Sequence, residues 1–152
     1  MDAAQRSFIS STFWTERIGP VAATATINKF KDRNVANHLV AIGQKVKTIW
    51  QDAAADSGTA IEISGMDPLG HFSFVTTETD AAKTLFTQLM LERGFLATTS
   101  FYAMYAHSDE HVQNYASAVN EAFAIIGGAL ESGAVGSLLK GPVAHSGFAR
   151  LA

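Results

Sequence analysis

Cysteine is absent from the 152 residues, which removes disulfide frameworks, thiolate zinc sites and cysteine nucleophiles together. The absence fits a reducing compartment, so the cytoplasm is the expected location. Charge is also scarce, with 16% Asp, Glu, Lys and Arg and a net charge of -3. No dense Lys/Arg cluster exists, which argues against nucleic acid as a partner. The nearest approach to one, Lys29, Lys31 and Arg33, has Asp32 among it and reads as a solvated helix end. No apolar run reaches the length of a membrane span, and the first six residues lack the basic start and apolar stretch of a signal peptide. A soluble chain with no membrane partner is expected. Apolar residues make up 47% of the chain, enough for a real core, since a chain of this length buries roughly 70% of its unfolded surface. One compact domain, or a large piece of one, follows.

Periodicity sets the order of elements. From Thr15 the chain reads as helix, with Glu16 in a first turn, Pro20 early and an Ala-rich run after it. After an interruption at Asp32 to Asn34, Val35, Leu39, Ile42, Val46 and Ile49 form one stripe of an amphipathic helix that Gly58 stops. Two alternating runs, centred on Ile61 and Ile63 and on Phe72 and Phe74, predict a β-hairpin with a longer loop from Gly65 to Gly70. A helix capped by Thr77 or Thr79 carries Leu85, Phe86, Leu89 and Met90 on its apolar side and ends at Gly94. Phe95, Leu96 and Ala97, then Tyr102 to Tyr105, read as two more short strands around a turn at Thr98 to Phe101. Ser108 caps a last helix with Asp109 and Glu110 in its first turn; Val112, Tyr115, Val119, Ala122 or Phe123, and Ile126 are its buried stripe, and Gly127-Gly128 ends it. The predicted fold is α+β: a small antiparallel sheet of about four strands with helices on one face, preceded by a long helical segment. The glycine-rich tail is either a packed arm or a mobile end.

The usual catalytic signatures are missing. No nucleophile elbow, zinc-protease helix, phosphate-binding loop or Rossmann glycine pattern occurs. His107 and His111, four apart, have a spacing that could hold a metal on a helix face. Ser108 is the better helix start, however, and no third or fourth ligand is evident, so surface or capping roles are expected and no metal. Paired carboxylates, Asp109 with Glu110 and Glu78 with Asp80, fall at helix starts. The aromatics Phe72, Phe74, Phe95, Phe101, Tyr102, Tyr105, Tyr115 and Phe123 read as core packing. One segment remains, Ser10-Ser11-Thr12-Phe13-Trp14-Thr15-Glu16, where three hydroxyls precede a helix. Free backbone N–H groups and the helix dipole suit such a place to a phosphate dianion, although an ordinary N-cap explains the same residues.

The run from Phe8 to Ala23, Phe8-Ile9-Ser10-Ser11-Thr12-Phe13-Trp14-Thr15-Glu16-Arg17-Ile18-Gly19-Pro20-Val21-Ala22-Ala23, resembles the segment after the active-site lysine in class-III pyridoxal-phosphate-dependent aminotransferases. The branch it is most similar to is that of glutamate-1-semialdehyde 2,1-aminomutase. Leu91-Glu92-Arg93-Gly94-Phe95-Leu96-Ala97 resembles that family's strand entry, and Ala106-His107-Ser108-Asp109-Glu110-His111-Val112 resembles the start of its last helix. Three blocks in family order cover nearly the whole chain. The resemblance implies the C-terminal lobe of such an enzyme, with residues 1–33 a remnant of the large-domain or dimer-interface segment and a linker helix, 34–130 the α+β small domain, and 131–152 an irregular tail. It also implies that Ser11 and Thr12 bind the phosphate of a cofactor, pyridoxal 5'-phosphate, held by the partner subunit.

The family's Schiff-base lysine, its pyridine-pairing aspartate and its ring-stacking aromatic all lie upstream of the segment that corresponds to Met1. None of Lys29, Lys31, Lys45, Lys47, Lys83 and Lys140 stands in the lysine's context. No catalytic residue is therefore assigned, and covalent cofactor binding or activity by this chain alone is not expected. The implied partner is the missing N-terminal cofactor-binding portion or a second subunit, in a homo-oligomer that covers the apolar residues Phe8, Phe13 and Trp14. The family's ornithine and 4-aminobutyrate branch grips a substrate carboxylate with an arginine where this chain has Tyr102-Ala103-Met104-Tyr105, so the substrate stays open. The alternative is a free-standing α+β interaction or small-ligand-binding module without the cofactor.

Overall fold

The computed structural model describes residues 16–145. The chain divides into two compact units, Met1–Val35 and Ala36–Ala152. In the first, α1 (Ile18–Asp32) has no buried residue and carries Lys29 and Lys31 in its last turn, where cations suit the helix dipole. Thr24 and Thr26 bond back to the carbonyls of Pro20 and Ala22, satisfying their hydroxyls inside the helix. Asn34 takes a left-handed φ of 50°, a conformation open to asparagine, and breaks the helix there.

The second unit holds α2 (Val35–Ser57), β1 (Ile61–Met66), β2 (Leu69–Phe74), α3 (Thr79–Glu92), β3 (Ser100–Tyr102), α4 (Asp109–Glu131) and a 3-10 turn (Val135–Leu138). The sheet is antiparallel in the order β1-β2-β3, with Met66 opposite Leu69 and Leu69 opposite Tyr102. On β2 alternate residues Gly70, Phe72 and Phe74 are buried while Leu69, His71 and Ser73 face outward. One face is therefore core and the other solvated, as period-two strands require. Phe72 is the hub of the core. Its ring centroid lies 4.9 Å from Trp50, 5.4 Å from Phe74, 5.3 Å from Phe86 and 5.6 Å from Phe123, which joins α2, the sheet, α3 and α4.

The α+β arrangement of four helices and a small antiparallel sheet is the one expected, with local corrections. The sheet has three strands rather than about four. Phe95, Leu96 and Ala97 follow α3 as an extended but unpaired stretch, because the Phe95 N–H is spent on the Met90 carbonyl as part of the helix stop at Gly94 (φ 84°). The third strand starts at Ser100, within the stretch expected to turn. The hairpin loop is short, with only Asp67 and Pro68 between the strands. Lys47 donates to Asp67 Oδ1 (2.9 Å) and to the Gly65 carbonyl (2.8 Å), and Gln44 donates to Asp67 Oδ2 (3.0 Å), fastening the turn to α2.

Neither Thr77 nor Thr79 is the N-cap of α3. Glu78 occupies that position without a side-chain bond. Thr79 instead donates to the carbonyls of Thr76 and Phe74, tying the helix start to the end of β2. Gly127-Gly128 does not end α4, which runs on to Glu131 and stops before Gly133 (φ 65°). Of the two readings of the tail, the packed arm holds through Ala144. Val135 is fully buried, Gln88 donates to the Leu138 carbonyl and accepts from the Lys140 N–H, and the Ala144 N–H donates to Thr84. Among the described residues no helix is long and apolar enough to cross a membrane.

Candidate functional site

An apolar cleft of about 420 Å3 opens where the unpaired stretch after α3, β3 and the loop behind it meet α2 and α4. Its walls include Val46 from α2, Phe95 and Ala97 from the extended stretch, Phe101 from β3, and Val112 and Tyr115 from α4. Leu96, Thr98, Ser100, Tyr102 and Met104 form more of the lining, and His107 and His111 complete it. The local sequence explains the opening. Because residues 95–98 have no strand partner, Leu96 is 100% exposed, and Tyr102, on the outward face of an edge strand, is 69% exposed.

The wall is fixed from behind. Trp50 Nε1 donates to the Tyr115 hydroxyl at 2.9 Å, a buried bond between α2 and α4. Burial pushes the Tyr115 phenol up to about 12, only partly offset by that bond, so it stays neutral. Phe95 meets the Tyr115 ring edge-on at 5.8 Å. Phe101 stacks on His107 at 5.2 Å, with 25° between the ring planes.

Both histidines serve the backbone. His107 Nδ1 accepts from the Met104 N–H (3.1 Å), closing the loop after β3. Ser108 caps α4 in a reciprocal box, its hydroxyl accepting from the His111 N–H and its own N–H donating to His111 Nδ1. The spacing of four that suggested a metal pair therefore straddles the helix start. No group of three or more His, Cys, Asp or Glu that could hold a metal exists among the described residues. Desolvation, with His111 and His38 nearby, holds the His107 imidazole below its ordinary value. His38 on α2 meets the Tyr105 ring edge-on at 5.4 Å, and its buried Nε2 has no hydrogen-bond partner.

Asp109 sits in the first turn of α4 as expected and pairs with Lys45, which holds its carboxyl below the usual range. Of the aromatics assigned to the core, Phe72, Phe74, Tyr115 and Phe123 are buried there and Phe95 and Phe101 pack against it. Tyr102 and Tyr105 are exposed, since they follow the short edge strand into the loop. Trp50, which the α2 stripe omitted, is one step past Ile49 and central. Ser11 and Thr12, the residues expected to meet a phosphate, lie outside the described residues, as do Phe8, Phe13 and Trp14.

A pyridoxal-phosphate site needs an amine for the Schiff base, a carboxylate for the pyridine nitrogen and donors for the phosphate. No Lys, Arg, Asp or Glu lines the cleft. Lys45, Lys47 and Lys140 are paired with Asp109, Asp67 and Glu92. The described residues do not by themselves fit the cofactor's reactive half.

No family model matches the chain. It is 27% identical over 126 residues to a 3-aminobutyryl-CoA aminotransferase of Cloacimonas acidaminovorans (strain Evry), an alignment spanning 80% of this chain and 30% of that protein. The fold matches the pyridoxal-phosphate internal aldimine form of the FumI protein of Sphingopyxis sp. MTA144 at a TM-score of 0.74 and 19% identity, over 86% of this chain and 32% of that one. The chain thus spans about a third of the length of the proteins it matches, and neither match separates the aminomutase-like branch from others. In fold the chain matches part of a protein whose structure holds the pyridoxal-phosphate internal aldimine, and in sequence it resembles part of an aminotransferase.

Proposed function

We propose that this chain supplies the C-terminal lobe of a class-III enzyme that transfers an amino group on an amino-acid or semialdehyde-type substrate, and that it does not catalyse alone. The observation that carries the reading is the alignment of most of the chain with part of an aminotransferase, joined to a fold match with a protein whose structure holds the internal aldimine. Support for incompetence alone is the absence of any lysine or carboxylate in the cleft. The partner is the lysine-bearing, cofactor-binding portion that precedes this lobe, or a second subunit that carries it, in a homo-oligomer. Exposed apolar residues in register across the outward face of the sheet, Met66, Leu69 and Tyr102, suit such a partner. Ser11 and Thr12 hold the cofactor phosphate of a partner subunit in that assembly, and the aminomutase-like branch is the source of the semialdehyde option. The two matches favour this reading over a free-standing module.

The purified chain mixed with pyridoxal phosphate should show no stoichiometric aldimine absorbance and no amino-group transfer. Supplying the lysine-bearing portion, joined upstream or as a second subunit, should restore both, and Thr12→Val should then weaken cofactor binding about tenfold, the worth of one hydrogen bond to a charged group. Turnover by the chain alone would refute the reading.

A further inference from the structure

The cleft has a chemistry that names what fits it. At about 420 Å3 it falls among small-molecule sites, which run roughly 300–1,000 Å3. Its deep wall is apolar and held rigid by the buried Trp50–Tyr115 bond. At its edge, His107 and His111 each spend Nδ1 as an acceptor for a backbone N–H. A neutral imidazole so engaged carries its hydrogen on Nε2. Each ring therefore offers one N–H donor and no acceptor. With no Lys, Arg, Asp or Glu in the lining, a charged group entering would lose hydration and gain no counter-charge.

We propose that this cleft binds the uncharged end of the enzyme's substrate, an aryl or short acyl group whose carbonyl oxygen accepts from the imidazoles of His107 and His111. That it is the substrate's end rests on the amino-transfer reading above; the binding itself does not. A substrate that ends in a carboxylate, as glutamate 1-semialdehyde does, finds no cation here. The selectivity is for acyl or aryl ends over acidic ones.

The test uses the full chain and three probes of one shape: benzamide, benzoate and benzamidinium. Binding is followed by NMR of the Met104 methyl and the His107 and His111 ring protons. Benzamide should shift these resonances saturably, and the two charged probes should bind about tenfold more weakly or less. Thr98→Trp, at an exposed position of the lining, should abolish the shifts, and Ala97→Leu should do so from the neighbouring wall; an unchanged urea midpoint shows that each variant still folds. His107→Phe should weaken benzamide about fivefold through loss of one donor. The proposal fails if benzamide gives no saturable shift at about 10 mM, a concentration that reaches past millimolar affinity, if the shifts survive Thr98→Trp, or if a charged probe binds as well. Binding in the chain without amino transfer in the reconstituted enzyme refutes the amino-transfer reading alone. Transfer with a benzamide-indifferent cleft refutes the cleft alone.

Discussion

At Gly127 an added methyl carbon would stand 2.4 Å from the Ser57 carbonyl oxygen and 3.1 Å from the Ser57 Cβ, because α4 crosses the end of α2 at that point. At Gly128, one residue on, nothing lies within 4 Å. The pair separates two effects that sequence alone merges. Alanine gains roughly 1 kcal/mol over glycine in a helix interior, while overpacking against a fixed backbone costs about 1–3 kcal/mol. Gly128→Ala should therefore stabilise the chain by about 0.5–1 kcal/mol, and Gly127→Ala should destabilise it, both read from urea unfolding midpoints. Equal shifts for the two would show that Ser57 yields at no cost. Gly127-Gly128 reads as a helix end because glycine is a frequent stop, and only the approach of a second helix, remote in sequence, reveals the other use. Trp50 was hidden for a similar reason. A stripe counted in steps of three and four passed beside it, although the position packs on Phe72 at the buried face of the hairpin.

Among elements, the start of α4 was the most legible, since the Ser108 cap and the acidic first turn of Asp109 and Glu110 act on the helix's own end, although the Asp109 pair with Lys45 is tertiary. Less legible was the part His107 plays, because it depends on Phe101 from β3 and on the Met104 N–H. The cleft itself could not be read from the sequence: it exists because residues 95–98 lack a strand partner, and the apolar run Phe95-Leu96-Ala97 reads as a paired strand. The exposed Leu96 is the only local sign of it. A pH effect belongs to this loop. Burial and two neighbouring imidazoles hold His107 below its ordinary 6.5, so the unfolded chain takes up a proton where the folded chain does not. The stability tied to the neutral ring is whole above about pH 6.5 and lost as the pH falls from there through the folded value. His107→Phe keeps a ring over Phe101 and removes the titration. In it, the fall of the urea midpoint below pH 6.5 should flatten, and an unchanged slope would assign the acid sensitivity to other groups.

Across the whole molecule, the chain after α4 returns over α3 and closes the core, so the tail's fate was the one large feature left open between two readings. Composition could not choose, since small residues suit both a mobile end and a close-fitting arm. The choice lies in two kinds of contact that differ in weight. Val135 is fully buried and joins the main core cluster with Leu139 packed against it, whereas the bonds from Gln88 and Thr84 and the Lys140–Glu92 pair at 2.9 Å lie at the exposed surface. Removing two buried carbons costs about 1.6 kcal/mol in transfer alone, before any cavity. Exposed hydrogen bonds are worth about 0.5–1.5 kcal/mol and surface ion pairs less. Val135→Ala should therefore lower global stability by about 2 kcal/mol with an unchanged denaturant slope. Gln88→Ala should leave the midpoint nearly where it was and instead speed proteolysis between Leu139 and His145, because it frees the arm beyond its anchor. If Gln88→Ala unfolds the whole chain as readily as Val135→Ala, the arm and core form one cooperative unit and the surface bonds carry more than their exposure allows.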